Sequence, residues 1–166
     1  MLHHIVIAVY QDFELLDATG PASVFASANH ALAEDGEPGR YAVHLASPTG
    51  GAVPSSSGVV VETKALAKVP RGVDTILVAG AEAGAVTAAT RTPELGRWLS
   101  RSASSVRRLG SVCAGSFVLA AAGLVDGKRV PHTGAPAKRS RDSIPPLRST
   151  PMLSMSSTAT SGHRRE

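Results

Sequence analysis

The chain has 166 residues, with 17 Lys and Arg against 13 Asp and Glu, a formal net charge of +4 at pH 7 and a sequence pI near 9.7. Its hydrophobic fraction of 43% and charged fraction of 18% exclude a collagen-like or wholly disordered chain. The length suits one domain of ordinary size. The single cysteine, Cys113, excludes an intramolecular disulfide and a multi-thiolate zinc site.

The apolar segment at the start of the chain, HHIVIAVY, is too short to span a bilayer. It also lacks the basic region and the small-residue cleavage site of a signal peptide. We therefore predict a cytoplasmic protein that does not associate with membranes.

The positive charge is concentrated near the end of the chain. Residues 1–130 contain 11 basic and 11 acidic side chains, so residues 131–166 account for the whole net charge. That last segment has five prolines, eleven serines and threonines and no aromatic residue. Such a composition buries too little apolar surface to offset the entropy of ordering. We predict one domain over residues 1–130 and a disordered tail over residues 131–166. Because the tail offers no aromatic stacking partner, we expect no direct nucleic-acid binding.

Predicted strands and helices alternate along the first 130 residues. The predicted strands are residues 2–10, 41–47, 58–63, 73–79 and 106–112. A first helix is capped by Thr19 or Gly20 and ends at Gly36, a second begins at residues 92–94, and a third spans residues 116–122. This alternation predicts an α/β fold with a doubly wound, mostly parallel sheet and helices on both faces.

The segment LGSVCAGSFVLAAAG, residues 109–123, predicts a strand that enters Cys113 and a helix that leaves it. Small neighbours are what a nucleophile elbow requires, because the backbone turns sharply beneath the reactive side chain. The following helix N-terminus stabilises a thiolate, and the amide of Ala114 points toward a developing oxyanion. The alternative is that Cys113 is a small buried hydrophobic residue. The local pattern favours the two interpretations equally.

Three carboxylates follow the first predicted strand, Asp12, Glu14 and Asp17. Ligands in open α/β sheets bind beyond the carboxyl ends of the strands, so an acid in this segment can approach the thiol. Asp17 is the preferred candidate, because it lies in the apolar frame LLD just before the predicted cap. Asp12 and Glu14 are interpreted as carboxylates favoured by the helix dipole.

Gly80 directly follows a predicted central strand, where it either supplies an oxyanion amide or simply turns the chain. We retain it with Ala114 as a candidate ligand-binding residue. His3 and His4 have no metal-ligand partners at suitable spacing, so we expect no metal. We also expect no cofactor.

Three segments together resemble the ThiJ/PfpI superfamily, which has a class I glutamine amidotransferase-like fold: FELLDATGPASVF, VDTILVAG and GSVCAGSFVLAAAGLVDGKR. Within it the chain is most similar to the N-terminal domain of AraC-type transcriptional regulators and to isonitrile hydratases. The resemblance implies a flavodoxin-like domain, commonly a homodimer, with the nucleophile at Cys113 and the acid at Asp17. Ala114 stands where the hydratases usually have threonine, and Gly80-Ala81 stands where the family has paired glycines.

After Val130 the sequence departs from the family, which continues with a segment like Thr-Thr-His-Trp-Arg. A shifted reading frame through residues 131–135 permits Thr-His-Trp-Arg, so we interpret residues 131–166 as an out-of-frame tail that leaves the sheet incomplete. The resemblance predicts a domain that senses a small-molecule ligand, belonging to an AraC-type regulator but lacking its helix-turn-helix part. The alternative is a small cysteine-dependent hydrolase or hydratase, similar to isonitrile hydratase. These alternatives leave open whether the protein is an enzyme.

Overall fold

A computed structural model describes residues 1–125. The predicted tail at residues 131–166 and the predicted domain end at residue 130 lie outside the described residues. The described chain forms six strands and four helices, with a short 3₁₀ turn at Leu66–Lys68. Their bounds are β1 His3–Ala8, α1 Leu15–Glu34, β2 Tyr41–Ser47, β3 Gly51–Pro54, β4 Val60–Ala65, β5 Val73–Val78, α2 Ala83–Thr90, α3 Pro93–Ser102, β6 Arg108–Ser111 and α4 Gly115–Ala121.

The strands form one sheet in the order β3-β4-β2-β1-β5-β6. The pairings β1–β2, β1–β5, β2–β4 and β5–β6 are parallel, whereas β3 and β4 form an antiparallel hairpin. The chain therefore winds outward from β1 in both directions. This is the predicted α/β architecture with a mostly parallel, flavodoxin-like sheet.

Hydrophobic side chains cover both faces of the central strands. Ile7 and Val9 are fully buried and pack in one cluster with Ala18 of α1. Helix α3 contributes Leu95 and Leu99, both with no exposed surface. Because parallel crossovers are right-handed, the connections leaving the centre in opposite directions place α1 on one face and α2–α3 on the other. The predicted helices on both faces are present.

Helix α1 begins earlier than the predicted cap at Thr19 or Gly20. It starts at Leu15, and the Glu14 side chain accepts a hydrogen bond from the Leu16 amide. The Thr19 hydroxyl donates instead to the Leu15 carbonyl, 3.0 Å away, as a residue inside a helix does. Asp17 consequently lies in the first turn of the helix, not ahead of it.

Two elements were not expected from the sequence, β3 and α2. Helix α2 consists of small residues, AGAVTAAT, whose apolar spacing gives little helical signal. Strand β3 is four residues long and includes Pro54, and it lies at the sheet edge, where proline is tolerated. Within residues 1–125, no helix is both long and apolar enough to cross a membrane.

Candidate functional site

The candidate site lies where the sheet changes its winding direction. Strands β1 and β5 are neighbours, and the chain leaves them toward opposite sides. Crevices at such switch points, beyond the carboxyl ends of the strands, are where ligands bind in open α/β sheets. Tyr10 and Asp17 follow β1, Gly80 follows β5, and Cys113 follows β6.

Cys113 occupies a strained turn between β6 and α4. Its φ of 48° lies in the left-handed region, which non-glycine residues rarely adopt. The turn is held on both sides, because Val112 donates to the Val78 carbonyl at 2.9 Å and the Gly115 amide donates back to Val112 at 3.0 Å. The thiol is free and exposed. These hydrogen bonds hold Cys113 in a backbone conformation that presents its side chain to solvent.

The turn at Cys113 depends on glycine at the start of α4. A methyl group on Gly115 would overlap the Val78 carbonyl oxygen and lie 2.8 Å from the Ala79 carbonyl oxygen. The first turn of α4 therefore rests directly on the backbone at the end of β5. This close approach fixes the height of Cys113 above the sheet edge.

Gly80 brings the predicted site residues together. A methyl group placed on it would lie 2.6 Å from Asp17 Oδ2, 2.8 Å from the Ala114 nitrogen and 3.1 Å from Cys113 Cβ. Those three atoms thus converge on the space left by the absent side chain. The structure places all four candidate residues, Asp17, Gly80, Cys113 and Ala114, around one small volume.

Asp17 is a buried carboxyl group, with 9% of its surface exposed. Burial raises the pKa of Asp17 above its usual value, and the nearby charge of Glu14 adds to that shift. The Gly80 amide, which donates to Asp17 Oδ2 at 2.9 Å, opposes it. A carboxyl with a raised pKa can hold a proton near the thiol and release it to a bound ligand.

The two candidate oxyanion amides, Gly80 and Ala114, differ in their hydrogen bonds. The Gly80 N–H donates to Asp17, so it acts first on the carboxyl group. The Ala114 N–H forms no hydrogen bond with residues 1–125. Ala114 caps α4 and its nitrogen faces the same volume as Asp17 Oδ2. Of the two, Ala114 is therefore the better candidate for binding a ligand oxygen.

Tyr10 belongs to this cluster and was not expected from the sequence. It is 5% exposed, and its hydroxyl donates to the Ala79 carbonyl at 3.0 Å. Burial raises the pKa of Tyr10, and the charges of Asp17 and Cys113 raise it further. The available signal was an aromatic residue with a polar tip directly after a buried strand, which in a core needs a hydrogen-bond partner.

The other titratable residues singled out in the sequence have different contacts. Glu14 caps α1 in place of the predicted Thr19 or Gly20, whereas Asp12 is exposed and lies outside the helix, with a φ of 59°. His3 pairs with Asp74, and His4 pairs with His44 across neighbouring strands. In the described part of the chain, no three His, Cys, Asp or Glu side chains cluster as metal ligands would.

Comparisons with known proteins show what the chain is similar to. The profile of the DJ-1/PfpI family matches residues 3–143. An uncharacterized protein in the cpoL 5′ region of Streptomyces lividans is 36% identical over 141 residues, covering 82% of this chain and 94% of that protein.

Solved structures share the fold. A ThiJ/PfpI family protein from Pseudomonas syringae superposes with a TM-score of 0.68 at 22% identity, over 80% of this chain and 50% of its own. An AraC family transcriptional regulator from Pseudomonas putida superposes with a TM-score of 0.63 at 21% identity, over 78% of this chain and 66% of its own. The chain thus spans half the length of the first of these proteins and about two thirds of the second.

Proposed function

The chain belongs to the DJ-1/PfpI family, and from that premise we propose that it senses a small electrophilic molecule, as the ligand-binding domain of an AraC-type transcriptional regulator. Cys113 forms a covalent bond with the ligand, and Asp17 donates the proton that the adduct requires. The whole regulator's DNA binding resides outside this chain. The fold likeness to the Pseudomonas putida regulator is compatible with this assignment.

One observation carries the proposal: an exposed cysteine in a left-handed turn faces a buried carboxyl group with a raised pKa. A thiolate at Cys113 can add to an electrophilic carbon, forming an S–C bond. With an isonitrile the attacked carbon takes up the proton of Asp17; with an aldehyde the electron pair of the C=O bond moves to the oxygen, and that oxygen takes up the proton. The Ala114 amide is positioned to stabilise that atom.

The hydrogen bond from the Gly80 amide to Asp17 favours a site that binds its ligand covalently over one that converts it to product. That amide already donates to Asp17, so one backbone donor, Ala114, remains for the ligand. Each oxyanion donor contributes substantially to the rate of acyl-transfer-type reactions, so a site with a single free donor is better suited to holding an adduct than to processing it.

The test is to expose the whole chain to an isonitrile and to an α-oxoaldehyde while mass and product are both recorded. We expect one saturable adduct per chain, lost in Cys113→Ser and slowed in Asp17→Asn. Asp35→Asn, at an exposed carboxylate at the end of α1, controls for the loss of one charge. If Cys113→Ser binds these probes as well as the natural chain does, the proposal fails.

A cysteine-dependent hydrolase or hydratase is the second candidate. The raised pKa of Asp17 favours it, because a carboxyl group that takes up and releases a proton beside a nucleophile can act as a general acid and base. Product formation beyond one equivalent per chain in the same experiment, abolished by Cys113→Ser, selects this candidate. A gene whose reading frame continues into two helix-turn-helix units supports the regulator instead.

A further inference from the structure

We propose that Tyr10 is a positioning residue of this site: through the Ala79–Gly80 peptide it sets the proton affinity of Asp17, and so the pH dependence of Cys113 reactivity. The inference rests on the proposed function only in taking Cys113 as the reactive group. Tyr10 itself does not touch the ligand.

The geometry is a hydrogen-bond relay through a single peptide group. The Tyr10 hydroxyl donates to the Ala79 carbonyl oxygen at 3.0 Å, and the Gly80 amide donates to Asp17 Oδ2 at 2.9 Å. The Ala79 carbonyl and the Gly80 N–H belong to the same peptide bond. Both hydrogen bonds are buried, so one rigid, planar unit connects the two side chains.

The direction of the effect follows from polarisation along such a chain. A donor on the carbonyl oxygen draws electron density from the peptide nitrogen and makes its N–H a stronger donor. A stronger N–H donor stabilises the ionised carboxylate more than the neutral acid. Tyr10 therefore lowers the proton affinity of Asp17 and partly offsets the effect of burial.

The groups around Asp17 leave the Gly80 amide as its hydrogen-bond donor, so this relay affects the ionisation of Asp17. The ionisable groups that face it are Glu14 from the start of α1, Tyr10 from the end of β1, and Cys113 from the turn after β6. Glu14 opposes ionisation of Asp17. In residues 1–125, Asp17 forms no ion pair with Lys, Arg or His, and its hydrogen-bond donor is Gly80. The Ala79–Gly80 peptide is thus the group that stabilises the ionised form of Asp17.

Tyr10 is suited to this role because it stays protonated. Burial raises the pKa of its hydroxyl, so the group remains a donor across the range in which carboxyl groups and thiols titrate. The chain contains two tyrosines, and the other, Tyr41, lies at the start of β2, where it packs its ring against Phe25 of α1. Tyr41 provides a matched control.

The test is to replace Tyr10→Phe and to follow two pH titrations. The Asp17 carboxyl is observed by carbon NMR, and the rate of Cys113 alkylation by iodoacetamide is measured over the same pH range. We expect the Asp17 titration, and the inflection that it produces in the alkylation profile, to move upward by about 0.3 pH unit, because polarisation strengthens a charged hydrogen bond by a modest fraction. Tyr41→Phe leaves both profiles in place. In an Asp17→Asn background, Tyr10→Phe no longer moves the alkylation profile.

A second measurement works in the opposite direction and leaves the fold intact. Fluorotyrosine incorporated into the Tyr41→Phe variant occupies position 10 alone, since the natural chain has two tyrosines. Its more acidic hydroxyl is a stronger donor, so both titrations move downward. The proposal is overturned if neither variant shifts Asp17, or if Tyr10→Phe moves the alkylation profile equally when residue 17 is Asn. Iodoacetamide requires no natural ligand, so a failure of ligand capture does not affect this result.

Discussion

At the scale of single residues, Gly80 is a position at which the surrounding atoms leave no room for a side chain. Gly80→Ala places a methyl group within 3.1 Å of Asp17 Oδ2, the Ala114 nitrogen and Cys113 Cβ. The last two atoms belong to the hydrogen-bonded turn between β6 and α4. We expect a loss of about 2 kcal/mol in the free energy of unfolding, as overpacking typically costs, together with slower alkylation of Cys113. Urea unfolding and iodoacetamide kinetics measure both.

The control for Gly80 is Gly96→Ala. Gly96 lies inside α3 with nothing within 4 Å of an added methyl group, so the substitution should stabilise the protein by about 1 kcal/mol through helix propensity. Equal effects of the two substitutions would show that Gly80 is not constrained by its neighbours.

Asp17 gives a second prediction at this scale, a pH dependence of stability. Its folded-state pKa is raised above 3.8, mainly by burial. The folded chain therefore binds the proton more tightly than the unfolded chain does. The contribution of Asp17 to stability is fully present below the unfolded pKa and is lost as pH rises through the folded pKa. The natural chain should lose stability relative to Asp17→Asn over that rise, in urea titrations at successive pH values. A difference that grows in favour of the natural chain would contradict the assignment.

At the scale of elements, Asp74 at the start of β5 joins three strands. It accepts hydrogen bonds from Arg107 at 3.0 Å and Arg108 at 3.2 Å, and it pairs with His3 of β1. Its bond with the Thr75 hydroxyl, followed by the bond and charge of Arg107, holds the pKa of Asp74 below its usual value. This stabilisation is present above the unfolded pKa of 3.8 and is lost as pH falls through the folded pKa.

Asp74→Asn should therefore lower the free energy of unfolding by about 1 kcal/mol at neutral pH, discounted for the exposure of the arginines. The deficit should shrink in acid, and urea unfolding at both pH values measures it. Glu94→Gln breaks an exposed pair with Arg97 on α3 and serves as the control, with an expected effect below about 0.5 kcal/mol. A deficit that does not change with pH would remove the electrostatic explanation.

The sequence predicted those elements whose signal is local. The apolar runs of β1, β2 and β5 and the spacing of Leu95, Trp98 and Leu99 in α3 lead directly to the observed elements. The predicted start of α1 was wrong because Thr19 and Pro21 are residues that suit the beginning of a helix. The observed start at Leu15 depends on packing of the preceding turn against the strand ends. Helix α2 and strand β3 depend on neighbours in space and leave little trace in the sequence.

At the scale of the whole molecule, the proximity of the candidate site residues was predictable, but the hydrogen bonds that connect them were not. The proximity of Asp17 and Cys113 follows from strand ends that share one sheet edge, and the motif around Cys113 predicts a sharp turn. That the Gly80 amide serves Asp17, and that Tyr10 holds the other end of the same peptide, depends on distances of 2.9 and 3.0 Å that no spacing rule supplies. The predicted cytoplasmic location and the reading-frame hypothesis remain predictions.

Self-association is the remaining prediction at this scale. Helix α1 exposes two large apolar side chains, Leu16 at 70% and Val24 at 66%. Exposed apolar side chains on one helix favour burial against a second copy through a twofold contact. We expect sedimentation as a homodimer of the 17.0 kDa chain, shifted toward monomer by Val24→Glu. Val59→Glu alters a valine that is 48% exposed, in the connection between β3 and β4, and should leave the dimer intact. A monomer at every concentration, or equal dissociation by both variants, would exclude α1 as the contact.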